Sequence, residues 1–165
     1  MADEVDALVE DWRRERPDLQ VDSMQVWSRI HRVAALFETG RRRVFRECGL
    51  EGWEFDVLAA LRKAGAKVGL SPGDLMRDTH VTSGTMTNRI ERLRQREFIT
   101  READPKDRRS AVILLTDAGR DRVDRAIASL LVWEQELLTN FAADEQSELA
   151  DLLRKALRAW GQPES

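Results

Sequence analysis

Polar and cationic side chains are concentrated between residues 83 and 109, and their types match the groups that a DNA duplex presents. They are Ser83, Thr85, Thr87, Asn88, Arg89, Arg92, Lys106, Arg108 and Arg109. In the major groove, asparagine pairs with adenine and arginine with guanine. Hydroxyl groups and other cations reach phosphate oxygens. The chemistry that this set predicts is binding of double-stranded DNA with base recognition.

A helix-turn-helix is predicted to position the first six of these residues. Ser71 and Pro72 are typical of the start of a helix, which ends near Thr79 and His80. After a brief turn, Thr82 or Ser83 begins a second helix that continues to about residue 96. Its buried side repeats every three or four residues, whereas Thr85, Asn88, Arg89 and Arg92 fall on another, exposed face.

A β-hairpin is predicted directly after this second helix. Residues 98–101 and 111–115 have strand composition, and the segment 104–107 contains the proline of a tight turn. Arg108 and Arg109 lie beside that turn and are long enough to reach the minor groove or its phosphates. Lys106 is expected to contact phosphate. A charged hairpin that follows a helix-turn-helix is a wing.

Long amphipathic helices flank the predicted winged helix. One runs from Ala2 to about Arg16, and a second begins with a cap at Asp22 or Ser23 and closes at Cys48-Gly49. Near its end, cations at residues 41–43 are expected to complement the helix dipole. A third helix covers residues 52–64. After the wing, one helix begins at Thr116-Asp117 and another near Asp144.

The apolar stripes of the end helices are too extensive to be buried on one small winged helix. Trp27, Ile30 and Phe37 form one stripe, and Leu149, Leu153 and Trp160 belong to another. A two-fold homodimer is the commonest way to cover such faces. The expected fold is therefore mainly α with a small β-hairpin wing: a winged helix-turn-helix at residues 51–116, an N-terminal extension and dimerisation helix at 1–50, and C-terminal dimerisation helices at 117–165.

The positive charge of this acidic chain is concentrated in one short central segment. The 165 residues carry 27 basic and 30 acidic groups, a net charge of −3 that on its own disfavours a simple basic DNA binder. Residues 80–109, however, carry 8 basic and 5 acidic groups, a local charge of +3. The acidic surplus lies in the flanking helices, where it is expected to limit non-specific DNA affinity.

Other counts bear on compartment and on catalysis. Cys48 is the single cysteine, and no apolar run approaches the roughly 18 residues of a membrane span. The N-terminus lacks the features of a signal peptide, so we expect a cytoplasmic protein without a membrane partner. His31 and His80 are isolated from metal-ligand spacings, and no phosphate loop or nucleophile motif is present. We therefore expect no catalytic residues, no metal and no cofactor.

The stretch from Phe55 to Arg120 resembles the MarR family of bacterial transcriptional regulators. The resemblance is carried by Phe-Asp-Val-Leu at 55–58, Leu-Ser-Pro-Gly-Asp-Leu at 70–75, Thr-Met-Thr-Asn-Arg-Ile at 85–90, Asp-Pro-Lys-Asp-Arg-Arg-Ser at 104–110 and Leu-Thr-Asp-Ala-Gly-Arg at 115–120. The start of the wing, Phe-Ile-Thr at 98–100, departs conservatively from the family's usual Gly-Leu-Val type. The family resemblance implies a DNA-binding homodimer that recognises palindromic operators and represses transcription.

A narrower resemblance, to the urate-responsive, PecS-like branch, rests on the N-terminal extension with Asp-Trp-Arg-Arg at 11–14. It implies a ligand site formed by Trp12, Asp56, Arg89 and Arg101. An anionic aromatic effector such as urate or xanthine needs a flat apolar wall, cationic partners and a hydrogen-bond acceptor. Because Arg89 also lies on the predicted recognition helix, an effector that draws on it would change the pose of that helix.

Three alternatives remain open. One is a redox sensor that acts through Cys48, which requires an exposed cysteine of low pKa; Arg46 would favour this and Glu47 would oppose it. Another is a regulator with a different phenolic or aromatic effector. A purely structural helical dimer would explain the ends of the chain but not the polar recognition face or the wing.

Overall fold

The computed structural model describes residues 2–65, 68–103 and 111–160. Within these ranges the chain forms seven helices and one two-stranded sheet: α1 (Glu4–Glu15), α2 (Met24–Glu47), α3 (Gly52–Ala64), α4 (Pro72–Thr79), α5 (Ser83–Gln95), β1 (Ile99–Ala103), β2 (Ala111–Leu115), α6 (Asp117–Leu138) and α7 (Ala143–Trp160). The strands pair antiparallel, with Ile99 opposite Leu115 and Ala103 opposite Ala111. The predicted fold class is confirmed.

One main core joins the end of α2 to α3, α4, α5, the hairpin and the first half of α6. Phe45 of α2 stacks on Phe55 of α3 with ring centroids 4.1 Å apart. Leu58, Leu75 and Leu93 are fully buried between the helices. A winged helix is thereby built around α3, and its apolar positions are those that the helical period predicts.

Local caps explain where several helices begin. The Ser71 hydroxyl accepts the Asp74 amide at 3.1 Å, and the Asp74 carboxylate accepts the Ser71 amide at 3.2 Å, which is a capping box at the start of α4. The predicted cap of α2 is confirmed at Ser23, which is the N-cap residue, but its side chain makes no capping hydrogen bond and its backbone angles are already helical. The Asp22 carboxylate accepts a hydrogen bond from Arg13 at 2.5 Å instead.

The outer helices leave apolar side chains uncovered in the single chain. No residue of α7 is buried, and Leu153, Leu157 and Trp160 are all exposed. The Trp160 ring lies 4.3 Å from that of Trp27 on α2. The α2 and α7 surfaces thus form an extended apolar face on the side away from the core.

None of the helices in the described ranges is long and apolar enough to cross a membrane.

Candidate nucleic-acid interface and effector residues

The tight turn between α4 and α5 presents α5 to solvent. His80 ends α4 in the left-handed conformation, with φ 52°, and α5 begins three residues later. Met86, Ile90 and Leu93 are buried and hold α5 on the core. The opposite face carries the predicted recognition residues: Ser83, Thr85, Thr87, Asn88 and Arg92 are exposed and Arg89 is half-buried.

The polar side chains of this face differ in how far they are already engaged. The Thr87 hydroxyl donates to the Ser83 carbonyl at 3.0 Å, and the hydroxyls of Thr82 and Thr85 lie 3.0 Å apart. Within the described part of the chain, no hydrogen-bond partner holds the amide of Asn88. A free amide at the centre of an exposed helix face can pair with adenine in a major groove.

Of the four arginines of the α5 segment, two form ion pairs within the described ranges and two do not. Arg94 forms an exposed ion pair with Glu91 at 2.9 Å, and Arg96 pairs with the buried Glu54 at 2.5 Å. Arg89 and Arg92 form no ion pair with any residue that the structure describes. Their guanidinium groups instead lie over the Trp53 ring of α3, 5.5 and 4.8 Å from its centroid. Positive charge on α5 is therefore retained at residues 89 and 92.

Backbone pairing and one threonine fix the base of the wing. Leu70 and Ile113 exchange backbone hydrogen bonds of 3.0 and 2.9 Å, which adds a bridge to β2. The Thr116 hydroxyl donates to the Glu97 carbonyl at 2.7 Å and accepts the Gly119 amide at 3.0 Å. The predicted wing contacts Lys106, Arg108 and Arg109 lie outside the described residues and remain predictions.

The four predicted effector residues share no cavity in the part of the chain that the structure describes. Asp56 lies in a cavity of about 360 Å³ between α2, α3 and α4, which Lys63 and His80 also line. Arg89 lines a different cavity beside Trp53, and Arg101 a third at the base of the wing. Trp12 is on α1 with 43% of its surface exposed. The single chain therefore does not assemble these four residues into one pocket.

Asp56 already has a cationic partner. Its Oδ1 accepts a hydrogen bond from Nη2 of Arg41 at 2.7 Å, and the Arg41 guanidinium also lies 4.9 Å from the Phe45 ring centroid. The expectation that Arg41, Arg42 and Arg43 complement the α2 dipole is wrong, because α2 ends at Glu47 as predicted and these cations lie before its last turn, where Arg46 is the basic residue. Arg41 belongs to the Asp56 cavity.

Ion pairs dock the extension helix α1 on α2. Arg29 donates to Asp3 at 2.8 and 2.9 Å and to Asp6 at 2.8 Å. The Arg29 hydrogen bond lowers the pKa of Asp3, and the Asp3 backbone amide, followed by Arg29, lowers the pKa of Asp6. Val5 and Val9 are buried against Val21 in a small separate core. Trp12 is therefore carried by a helix that has a defined position.

The sequence-based predictions assign no role in these sites to three residues that contribute to them: Arg41, Trp53 and Glu54. Arg41 lies four residues from both Phe37 and Phe45, so the period places it on the buried side of α2. Glu54 precedes Leu58 by four residues and Leu61 by seven, which places it on the buried side of α3. These spacings could have marked both charges as buried or half-buried, whereas nothing in the sequence links Trp53 to the arginines of α5.

The cysteine and the histidines are placed apart from one another. Cys48 follows the last residue of α2, is half-buried, and has its Sγ 3.7 Å from the Ser129 hydroxyl. His31 lines a groove of α1 and α2, and His80 lines the Asp56 cavity. Within the ranges that the structure describes, no cluster of side chains could hold a metal ion.

Comparison with known proteins adds independent evidence. Residues 49–110 match the MarR family. Over 150 residues the chain is 36% identical to the HTH-type transcriptional regulator PecS of Dickeya dadantii, covering 91% of this chain and 90% of PecS. The crystal structure of MepR, a transcription regulator of the Staphylococcus aureus multidrug efflux pump MepA, matches with a TM-score of 0.70 at 19% identity, covering 81% of this chain and 97% of that one.

A further solved structure concerns the regulation of DNA binding of Bordetella bronchiseptica BpsR by 6-hydroxynicotinic acid. It matches with a TM-score of 0.60 at 27% identity, covering 77% of this chain and 91% of that one. The matched proteins are transcriptional regulators rather than enzymes.

Proposed function

This chain belongs to the MarR family of transcriptional regulators, and we propose that it is a repressor that binds palindromic operator DNA as a homodimer and is released by a small anionic aromatic molecule such as urate or xanthine. The observation that carries the DNA-binding part is the exposed face of α5. It combines a free amide at Asn88 with two arginines, Arg89 and Arg92, that no described carboxylate neutralises. The amide of an asparagine pairs with the edge of a base, and guanidinium groups donate hydrogen bonds to base edges and to phosphate oxygens.

The uncovered apolar faces support the homodimer. Leu157 is 73% exposed and Trp160 is 54% exposed in the single chain, and both belong to a helix with no buried residue. Such a contiguous apolar surface marks a protein interface. A two-fold dimer would present two copies of α5, and half-sites one helical turn apart would then match the two recognition helices.

The Asp56 cavity supports a small anionic effector. Arg41, Lys63 and His80 supply positive or hydrogen-bonding groups, and Phe55 supplies an apolar wall. The carboxylates of Asp56 and Asp78 line the same cavity and can accept hydrogen bonds from the N–H groups of a purine. An effector that binds there and also recruits Arg89 and Arg101 must draw together groups that line three separate cavities. Because Arg89 lies on α5, this movement would change the pose of the recognition helix, and DNA affinity would fall.

The N-terminal extension with Asp-Trp-Arg-Arg at 11–14, which resembles the urate-responsive branch of the family, favours an effector of the urate type. Similarity to BpsR, whose DNA binding is regulated by 6-hydroxynicotinic acid, favours an aromatic acid. Both are planar and anionic at neutral pH, so the same cations would bind either one. Redox control through Cys48 is the second candidate. Peroxide treatment of wild type and Cys48→Ser separates it from effector control.

The experiment that tests the proposal begins with selection of duplexes from a random library by the full-length protein. The selected duplex is then titrated with protein in the presence of urate, xanthine or 6-hydroxynicotinic acid. We expect an inverted-repeat sequence and weaker binding at high micromolar effector. Absence of any selected sequence would contradict the DNA-binding proposal, and unchanged affinity with no ligand binding by calorimetry would contradict the effector proposal.

Trp12→Ala and Arg101→Ala test the effector residues directly. Each variant is expected to bind the selected duplex but to need more effector for release. Arg43→Ala is the matched control, because Arg43 is exposed and makes a long ion pair with Glu47 at 3.9 Å. Equal effector sensitivity in the three variants and wild type would remove Trp12 and Arg101 from the site.

A further inference from the structure

Trp53 is placed between the scaffold helix α3 and the recognition face of α5. It is the second residue of α3, half-buried and packed against the main core. Its exposed portion lines a cavity with Thr85, Asn88, Arg89 and Arg92. The ring thus shares a surface with the side chains that we assign to DNA, although no DNA-binding role is predicted for Trp53 itself.

The ring contacts both arginines that keep their charge. The Arg92 guanidinium is 4.8 Å from the ring centroid and that of Arg89 is 5.5 Å from it, both within cation–π range. The two arginines are three positions apart on one helix, so their like charges repel. Contact with one aromatic ring holds both cations near one another on the exposed face of α5.

A guanidinium that packs on an aromatic ring keeps the N–H donors and the charge that an ion pair with a carboxylate uses. In the Arg94–Glu91 pair, two guanidinium nitrogens are used, donating to Glu91 at 3.0 and 2.9 Å, and the charge is cancelled. A guanidinium over a ring keeps its N–H donors and its positive charge. Its rotamers are nevertheless restricted before DNA arrives, so less side-chain freedom is lost on binding.

The start of α3, which carries Trp53, is held by its own cap and by α5. Glu51 and Glu54 form a capping box at the start of α3. The buried Glu54 carboxylate accepts from Arg96 at 2.5 Å, and Arg96 also donates to the Gly49 carbonyl at 2.9 Å. The N-terminus of α3 is therefore tied to the C-terminus of α5, and Trp53 lies next to that tie.

We infer that Trp53 is a positioning residue for DNA recognition: it holds Arg89 and Arg92 in the geometry in which they contact the operator, without contributing a charge of its own. The inference rests on the proposed DNA binding. It predicts that loss of the ring lowers operator affinity and the preference for operator over unrelated DNA, while the net charge of the protein is unchanged.

The test measures binding of full-length wild type, Trp53→Leu and Trp53→Phe to two duplexes. One is the duplex that wild type selects from a random library, and the other is a scrambled duplex of the same composition. We expect Trp53→Leu to lose about five- to thirty-fold in affinity for the selected duplex, from two exposed cation–π contacts. Affinity for the scrambled duplex should fall less, because only phosphate contacts are lost there, and Trp53→Phe should retain most of the preference.

A double-mutant cycle separates positioning from a general effect on the fold. If Trp53 acts through Arg92, Trp53→Leu combined with Arg92→Met loses less affinity than the product of the single losses. Arg94→Met combined with Trp53→Leu is the control, and there the losses should multiply. Thermal unfolding of each variant checks that the chain is folded at the temperature of the assay.

Two results would overturn the inference. One is an unchanged or increased operator preference in Trp53→Leu. The other is a double variant, Trp53→Leu with Arg92→Met, whose loss of affinity equals the product of the two single losses. If Trp53→Leu does not fold, Trp53→Phe is measured with Arg92→Lys, which lacks the planar group; additive losses in that cycle count against positioning. Failure of wild type to select any duplex would instead remove the proposed function, and the inference with it.

Discussion

The carboxylate of Glu54, which is only 1% exposed, accepts a hydrogen bond of 2.5 Å from Nη1 of Arg96. This contact joins the start of α3 to the residue that follows α5, and Arg96 lies 40% exposed at its outer end. A buried carboxylate that loses its cation is left with an uncompensated charge, which is more costly than loss of an exposed pair. This buried ion pair therefore adds to the apolar contacts of Met86, Ile90 and Leu93 that hold the recognition helix on the core.

Replacement of Arg96 should therefore destabilise the fold more than replacement of its neighbour on α5. We expect Arg96→Met to lower the free energy of unfolding by about 1–3 kcal/mol, because Arg96 is partly screened by solvent. Arg94→Met removes an exposed pair and should cost about 0.5 kcal/mol or less. Urea unfolding of the two variants measures the difference, and equal midpoints would contradict it.

The close approach of α6 to the residue before β1 predicts a second effect on stability. A Cβ on Gly119 would lie 2.0 Å from the Phe98 carbonyl oxygen, a backbone atom that cannot rotate away. Gly119→Ala should lower the free energy of unfolding by about 1–3 kcal/mol through overpacking. Gly52→Ala, with no atom within 4 Å of its new Cβ, is the control and should leave stability nearly unchanged. Thermal melts that coincide would argue against the close packing.

The docking of α1 should depend on pH in a defined direction. The pKa values of Asp3 and Asp6 are lowered in the folded protein, chiefly by the Arg29 hydrogen bond for Asp3 and by the Asp3 amide and then Arg29 for Asp6. A lowered pKa contributes stability above the unfolded value of about 3.9, and this contribution is lost as the pH falls through the folded pKa.

Amide exchange of α1 residues at pH 7 and in acid measures this dependence. Protection of Val5 and Val9 is expected to decrease as the solution is acidified below about pH 4. In Arg29→Met the protection should already be weaker at pH 7, and the acid-dependent loss should be smaller. A pH response of equal size in wild type and variant would show that Arg29 does not hold α1.

Salt dependence distinguishes the free arginines of α5 from the paired ones. Each phosphate contact adds about 0.9 to the slope of log affinity against log salt. Arg92→Met should reduce that slope by up to about one contact, whereas Arg94→Met should change it less because Glu91 already neutralises Arg94. Arg109→Ala, on the predicted wing, should also weaken binding and lower the slope. Fluorescence anisotropy from low to moderate salt supplies the slopes, and identical values for all variants would exclude these contacts.

The apolar stripe of α7 predicts a variant that separates the subunits. Leu157→Glu places a charge on a side chain that is 73% exposed in the single chain, so the fold of one subunit should be preserved. The homodimer should dissociate, and operator affinity should fall because two half-sites are no longer bound together. Light scattering gives the mass. Lys155→Glu lies off the stripe and serves as the control; a dimeric Leu157→Glu protein would locate the interface elsewhere.

Local sequence determined the helices, the hairpin and the composition of the DNA-facing surface. The bounds of α3 and β2 and the capping box at Ser71 follow from apolar periodicity and from residues three positions apart. The face of α5 that carries Asn88 and Arg92 follows from the same period, because a helix places such residues together whatever it packs against.

Only the tertiary structure decided which charged residues distant in sequence form ion pairs. The partners Arg41 and Asp56 are 15 residues apart, and Glu54 and Arg96 are 42 apart. A chain with 27 basic and 30 acidic groups offers many equivalent pairings, and periodicity does not rank them. The packing of α2, α3 and α5 selects one set. In that set Arg96 is paired with Glu54, and Arg89 and Arg92 keep their charge over Trp53. The predicted effector residues Asp56, Arg89 and Arg101 line three separate cavities.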